Sequence, residues 1–221
     1  MPRPEDNIVH VRFARAQQIA ADALACLDES EREEGARLPQ AAAQDYFCAH
    51  LLLRQTLSEF ADIAPVDWRF AKNMHGKPFT TQAPLSFNLS HTYGMAAVVV
   101  ASGCEVGIDI EKIDPHRADP IIARQMFAPD EFLLWESAQD RLSVFFQIWT
   151  LKEAVMKATG LGMSLPLHSF EVTLASSQIV HTPSGERCYC ERGILDQGFA
   201  WSVAVQSDAH HMPEIQSRLV G

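Results

Sequence analysis

The sequence predicts an α+β protein of two similar halves, each a helix packed on a small, mainly antiparallel three-stranded sheet. Three observations predict it. Segments 44–60 and 141–158 carry apolar residues at helical spacing; short runs of strand length follow each; and Ser102-Gly103 breaks the chain between the two series. With 221 residues, 47% of them hydrophobic, the chain suffices for one large domain or two small ones. The expected halves are residues 1–103 and 104–221.

The elements follow in order. In 44–60, Phe47, Leu51, Leu52, Leu57 and Phe60 mark a helix, and Pro65 closes the loop after it. Val66–Ala71 alternates like a short strand, and Asn73-Met-His-Gly-Lys-Pro carries turn chemistry. Leu85–Leu89 and Met95–Ala101 read as strands, the second an unbroken apolar run suited to a sheet centre. In the second half, 141–158 is a strong helix with Gly160 and Gly162 as stop signals. Ser169–Leu174, Arg187–Glu191 and Phe199–Val205 are the expected strands. Two such halves side by side predict a ligand cleft at their junction.

Composition excludes several classes. No stretch reaches the roughly 18–20 apolar residues of a membrane-spanning helix, and Met1-Pro-Arg-Pro-Glu-Asp-Asn lacks a secretory layout, so the expected location is cytoplasmic. Cys26, Cys48, Cys104, Cys188 and Cys190 are odd in number and contain no C-x-x-C pair, which argues for buried reduced thiols. A net charge of −10 without a dense Lys/Arg run disfavours nucleic acid and anionic lipid as partners. An acidic partner would have to be met by a local basic or apolar patch.

The chemistry concentrates in three places. In Glu105-Val-Gly-Ile-Asp109-Ile-Glu111, strand alternation puts both acids on one side and both isoleucines on the other. Alone, this reads as a strand with one wet face. In Trp149-Thr-Leu-Lys152-Glu153-Ala-Val-Met-Lys157, residues 149, 153 and 157 share a helix face. Glu153 and Lys157 form either an exposed i,i+4 ion pair or a third carboxylate and a phosphate-binding lysine beside a hard cation. Phe87-Asn-Leu-Ser90-His91 offers a hydroxyl and an imidazole to an anion at a strand end, with His75 and Lys77 in the preceding turn.

Together with Gly76-Lys77-Pro78, Lys112, Gly160, Gly162 and Ser164-Leu-Pro-Leu167, these motifs resemble the phosphopantetheinyl transferase superfamily, in its Sfp-type branch of pseudo-duplicated single chains. The resemblance covers about residues 45–175. It implies a pseudo-twofold 4′-phosphopantetheinyl transferase fold, and transfer of phosphopantetheine from coenzyme A to a serine of an acyl or peptidyl carrier protein, as in fatty acid, polyketide and non-ribosomal peptide synthesis. Asp109, Glu111 and Glu153 would hold magnesium, with manganese as the alternative. Glu153 would act as base and Lys157, with Lys152, on the pyrophosphate. Lys77, Pro78, Ser90 and His91 would bind the nucleotide end. A monomer follows by analogy, because the shorter branch pairs two subunits. The chain departs from the pattern at 29–37 and Asp45, where basic residues would reach the 3′-phosphate. Arg32, Arg37 or Arg54 would substitute, Arg54 reading otherwise as a helix surface residue, and weaker discrimination against dephospho-coenzyme A is expected. Segment 114–135, with Arg117, Arg124, Met126 and Phe127, is either a docking patch for an acidic carrier or a helix with a core face.

Overall fold

The computed structural model describes residues 8–16, 22–195, 198–206 and 213–220. The opening Met1 to Asn7 stretch, read above for its lack of a leader, lies outside them. In chain order the elements are strand β1 (Ile8–Arg15), helices α1 (Glu29–Ala36) and α2 (Gln40–Ser58), short strands β2 (Ala71–Lys72) and β3 (Pro78–Phe79), and strands β4 (Leu85–Thr92), β5 (Met95–Ser102) and β6 (Glu105–Lys112). Helices α3 (Pro120–Met126), α4 (Pro129–Ser137) and α5 (Arg141–Thr159) follow, then β7 (Ser177–His181), β8 (Arg187–Leu195), β9 (Phe199–Gln206) and β10 (Glu214–Val220).

These elements form two units. Among the described residues, the first comprises those up to 73, 78–104 and 213–220; the second comprises 74–77 and those from 105 to 206. The final segment therefore returns to the first unit, whereas the sequence reading had placed it in the second half. Each main sheet has four strands, not the expected three: β10-β1-β5-β4 in unit 1 and β6-β9-β8-β7 in unit 2. All pairings in both are antiparallel except β1 with β10, which run parallel.

In unit 1, α2 lays Leu52, Leu53 and Leu57 on the sheet face formed by Phe87, Ala96, Val98 and Val100. Fully burying aliphatic side chains of this size contributes about 1.5–3 kcal/mol each. A charged clasp ties α1 to α2. Asp28 caps α1 in a capping box with Glu31. The Arg54 guanidinium, fully buried, donates to Glu31, Asp28 and the carbonyls of Pro65 and Trp68. Burial pushes the Glu31 carboxyl up, but hydrogen bonds from His50 and Arg54, and the Arg54 charge, outweigh it and hold it below its ordinary value.

That clasp explains one correction. Val66–Ala71 is not a strand: Pro65–Asp67 forms a 3₁₀ turn, and Trp68 is buried with its indole N–H donating to Ser58 Oγ at 2.9 Å. The carbonyls a strand would offer a neighbour are spent on Arg54. Ser169–Leu174 is corrected for a similar reason. Phe170 and Val172 are buried while Glu171 and Thr173 are exposed, as alternation requires. Yet the Val172 N–H donates to Glu131 Oε1 and the Thr173 N–H to Gln178 Oε1, so side chains occupy the place of a paired strand. The five cysteines are free, and burial pushes the Cys188 thiol up to about 12.

In unit 2, α5 packs across β6, β9 and β8. Its core contributors include Phe145, Ile148, Leu151, Ala154, Val155 and Ala158. Asp140 caps its start by accepting from Ser143 N, and Gly160 ends it at φ 68°.

Candidate active site

The placement of β6 under α5 begins with a glycine. A Cβ on Gly107 would lie 2.2 Å from the Ala154 carbonyl oxygen and 2.3 Å from Ala158 N, both α5 backbone. Helix and strand thus approach closer than any other residue at 107 allows. Alternation then directs Asp109 and Glu111 to the same face as Gly107, toward the helix. Ser202, opposite Asp109 on β9, shares a 2.8 Å hydrogen bond with Thr150 of α5 and fixes the helix laterally.

The alternative of one wet strand face is overturned: Asp109 is 4% exposed and Ile108 and Ile110 are fully buried. A buried carboxylate is rare unless charge meets it, and here Lys157 Nζ lies 2.7 Å from Asp109 Oδ1 and 3.2 Å from the Ile108 carbonyl. Glu111 is held by Arg117, whose two terminal nitrogens donate to its two oxygens at 2.5 and 2.9 Å. Glu153, half-buried one turn before Lys157, completes the group. Burial, then the Asp109 charge, pushes its carboxyl up to about 7; Lys157 works against them and Glu111 adds to them. Such coupling requires the three carboxyls to lie near one another. Paired like charges in a dry setting are the usual mark of a cation or proton-transfer site.

Three carboxylates are the donor chemistry of a hard divalent ion. Among the described residues, no trio of His, Cys, Asp and Glu stands ready-made around a metal position; Lys157 and Arg117 engage the oxygens of Asp109 and Glu111. The donor set fits magnesium in kind, with two side-chain cations holding part of the charge such an ion would balance.

The other expected residues separate. Lys77, 12% exposed at its side chain, bonds Glu105 at 2.6 Å and the Ala158 carbonyl at 2.9 Å, so it caps the last turn of α5. His75 lies 3.4 Å from Ser164 Oγ. Lys152 is a correction. Fully buried, it donates to the carbonyls of Leu167 and Phe170, each at 2.7 Å, and pairs with Glu131 at 2.7 Å. An ammonium has three donors, and this one spends them inside the protein, out of reach of a phosphate. Burial drives Lys152 down and Glu131 up, and their mutual attraction opposes both.

Ser90 and His91 are consecutive on β4, so their side chains face opposite ways; Ser90 is buried and His91 exposed. The hydroxyl and the imidazole therefore do not meet one anion from the same face of β4. His91 stands edge-on to Tyr46, which stacks on His50 at 4.1 Å. Arg54 is no surface residue and cannot serve a 3′-phosphate. Arg32 donates to the Leu27 carbonyl, and Arg37 pairs with Glu33. Asp45, standing where a basic residue was expected, accepts from Gly94 N at 2.8 Å and braces the Tyr93-Gly94 turn, where both residues have positive φ. Sequence reasoning missed Arg117 as a partner of Glu111; only the six-residue separation pointed to it. In the 114–135 segment Phe127 is buried, Arg124 covers the Phe132 ring at 5.2 Å, and Ile121 and Leu133 are exposed.

The chain has matches among known proteins. A family model described as 4′-phosphopantetheinyl transferase superfamily matches residues 105–207. The 4′-phosphopantetheinyl transferase gsp of Aneurinibacillus migulanus is 38% identical over 59% of this chain and 54% of its own length. The 4′-phosphopantetheinyl transferase Sfp of Bacillus subtilis (strain 168) is 31% identical over 69% of this chain and 70% of its own. The 4′-phosphopantetheinyl transferase psf-1 of Bacillus pumilus is 33% identical over 72% and 70%. The chain thus spans about half of one relative and about two thirds of the other two.

Proposed function

The chain belongs to the 4′-phosphopantetheinyl transferase superfamily, and from that premise we propose that it transfers the phosphopantetheine arm of coenzyme A to a serine of an apo carrier protein. The observation that carries the proposal is the grouping of Asp109, Glu111 and Glu153 with Lys157 where α5 crosses β6. Asp109, Glu111 and Glu153 would hold magnesium, which when bound neutralises charge on the diphosphate. Lys157 exchanges its contact with Asp109 for a phosphate oxygen. Glu153, directly or through a water, would take the serine proton. The serine oxygen bonds to the phosphorus bearing pantetheine, the bond from that phosphorus to the bridging oxygen of the diphosphate breaks, and 3′,5′-ADP leaves on that oxygen with the electron pair.

Pro78, Ser90 and His91 are assigned to the nucleotide on the resemblance, His91 with the further support of its exposure, and Lys77 by exchange of its present bonds. Two duplicated units and a monomer also belong to this reading. In each sheet the unit's first strand lies antiparallel to a strand that in turn pairs with the preceding one: β1-β5-β4 and β6-β9-β8. The test is incubation with coenzyme A, magnesium and an apo-carrier, followed by carrier mass. A gain of one phosphopantetheine supports the reading, and released phosphate or an unchanged mass refutes it. Asp109→Ala abolishes loading and Glu153→Ala lowers it by at least ~10²-fold, with unchanged circular dichroism. Near wild-type loading by either variant removes the metal and base assignments.

A further inference from the structure

Resting on the metal assignment above, we propose that Arg117 is a built-in competitor for the ion: its guanidinium, forked on both oxygens of Glu111, gives way when Glu111 takes a divalent cation. The fork is a two-pronged, charge-assisted pair with Nη1 on Oε2 and Nη2 on Oε1. Such pairs are the strong form of hydrogen bond because both donors match the carboxylate plane. An ion drawing on the same oxygens meets that occupancy first, and meets a positive charge beside it.

The location of Arg117 suits an exchange. It lies in the loop between β6 and α3, where its own N–H donates to the Asp114 carbonyl at 3.0 Å and its carbonyl accepts from Asp119 N. Those backbone bonds hold the loop whichever way the side chain points. The Arg117 side chain is 35% exposed against 14% for Glu111, so the guanidinium has water to move into while the carboxylate stays. Its carbon also stands 6.0 Å from the Phe146 ring centre, a face that a displaced cation can keep. Lys157 on Asp109 stands in a similar relation to the ion, but it is assigned to phosphate; Arg117 has no other part in the reaction proposed above.

The contrary role is an orienting one, in which Arg117 holds Glu111 ready for the ion. Loss of such a partner typically weakens metal binding by ~10–100-fold. The two roles predict opposite signs. Manganese alone, without coenzyme A or carrier, is titrated into wild type, Arg117→Ala, Arg117→Lys and Asp109→Asn, and free ion is read by electron paramagnetic resonance. Arg117→Ala is expected to bind roughly tenfold tighter or more, and Arg117→Lys to fall between it and wild type, because the charge remains and the fork is lost. Binding that Arg117→Ala leaves unchanged or weakens overturns the inference while the metal assignment stands. Absence of binding in both wild type and Arg117→Ala, or binding that survives Asp109→Asn, overturns the metal assignment and the inference together. Thermal melts verify that each variant is folded, and Arg117→Lys alone decides the sign if Arg117→Ala is not.

Discussion

Lys152 and Lys157 sit five residues apart on one helix and come to opposite ends. Five residues is 500° of helical rotation, so the two side chains leave α5 about 140° apart. One meets Asp109, the other Glu131 and two carbonyls. Spacing alone could not say which lysine faces the chemistry, because Glu131 lies 21 residues upstream and nothing local announces it. Glu131 also accepts from Ala128 N and Val172 N, so the pair joins α4, α5 and the 167–172 segment at one point. Replacing Lys152 by Met strands the Glu131 charge in the interior. Losing one member of a buried pair costs roughly 3–5 kcal/mol, so urea unfolding of Lys152→Met should shift by that amount. Adding Glu131→Gln removes the stranded charge and should restore part of the loss. Strictly additive losses in the double variant would show that the two side chains do not act as a pair.

At the scale of elements, Gly107 was legible only as part of a motif, and its physical role emerges from the helix above it. The two long helices and β4, β5, β6, β8 and β9 were readable because their apolar spacing persists over several residues. By contrast, 169–174 alternates without being a strand, since periodicity reports which side is buried and not where the backbone bonds go. Arg54 misled for a related reason. A charged residue among leucines reads as surface until acids from α1 and two carbonyls are brought around it. Gly107→Ala tests the element-level claim that β6 and α5 are held at backbone contact. Overpacking a well-filled site typically costs 1–3 kcal/mol, and here the Cβ would meet main chain that cannot rotate aside. A loss of about 3 kcal/mol in urea unfolding is expected. Loading of carrier should fall by more than that loss of folded protein explains, because Asp109 and Lys157 are spaced by the same contact. Wild-type stability in the alanine variant would mean that strand and helix are not in close contact.

For the whole molecule, the two-part plan was visible in the break at Ser102-Gly103, but the return of β10 was not. Its pairing with β1 joins residues more than 200 apart, and no local window registers a parallel bond across that distance. Net charge, in contrast, needs no fold to be read. At −10 the molecule would repel an acidic carrier of the proposed kind at long range, so productive encounter would depend on short-range contact. Exposed Ile121 and Arg124 on α3 and exposed Leu133 on α4 would supply apolar and basic material of that kind. Salt separates the two contributions. The screening length falls from about 30 Å at 10 mM to about 8 Å at 150 mM, which removes the long-range repulsion and leaves close contacts less affected. With coenzyme A saturating and magnesium fixed, kcat/KM for an acidic carrier is therefore expected to rise severalfold over that range of potassium chloride. A steep fall would mean that attraction to a basic surface outweighs the overall charge, and docking would then have to be sought in arginine clusters and not in the apolar residues of α3 and α4.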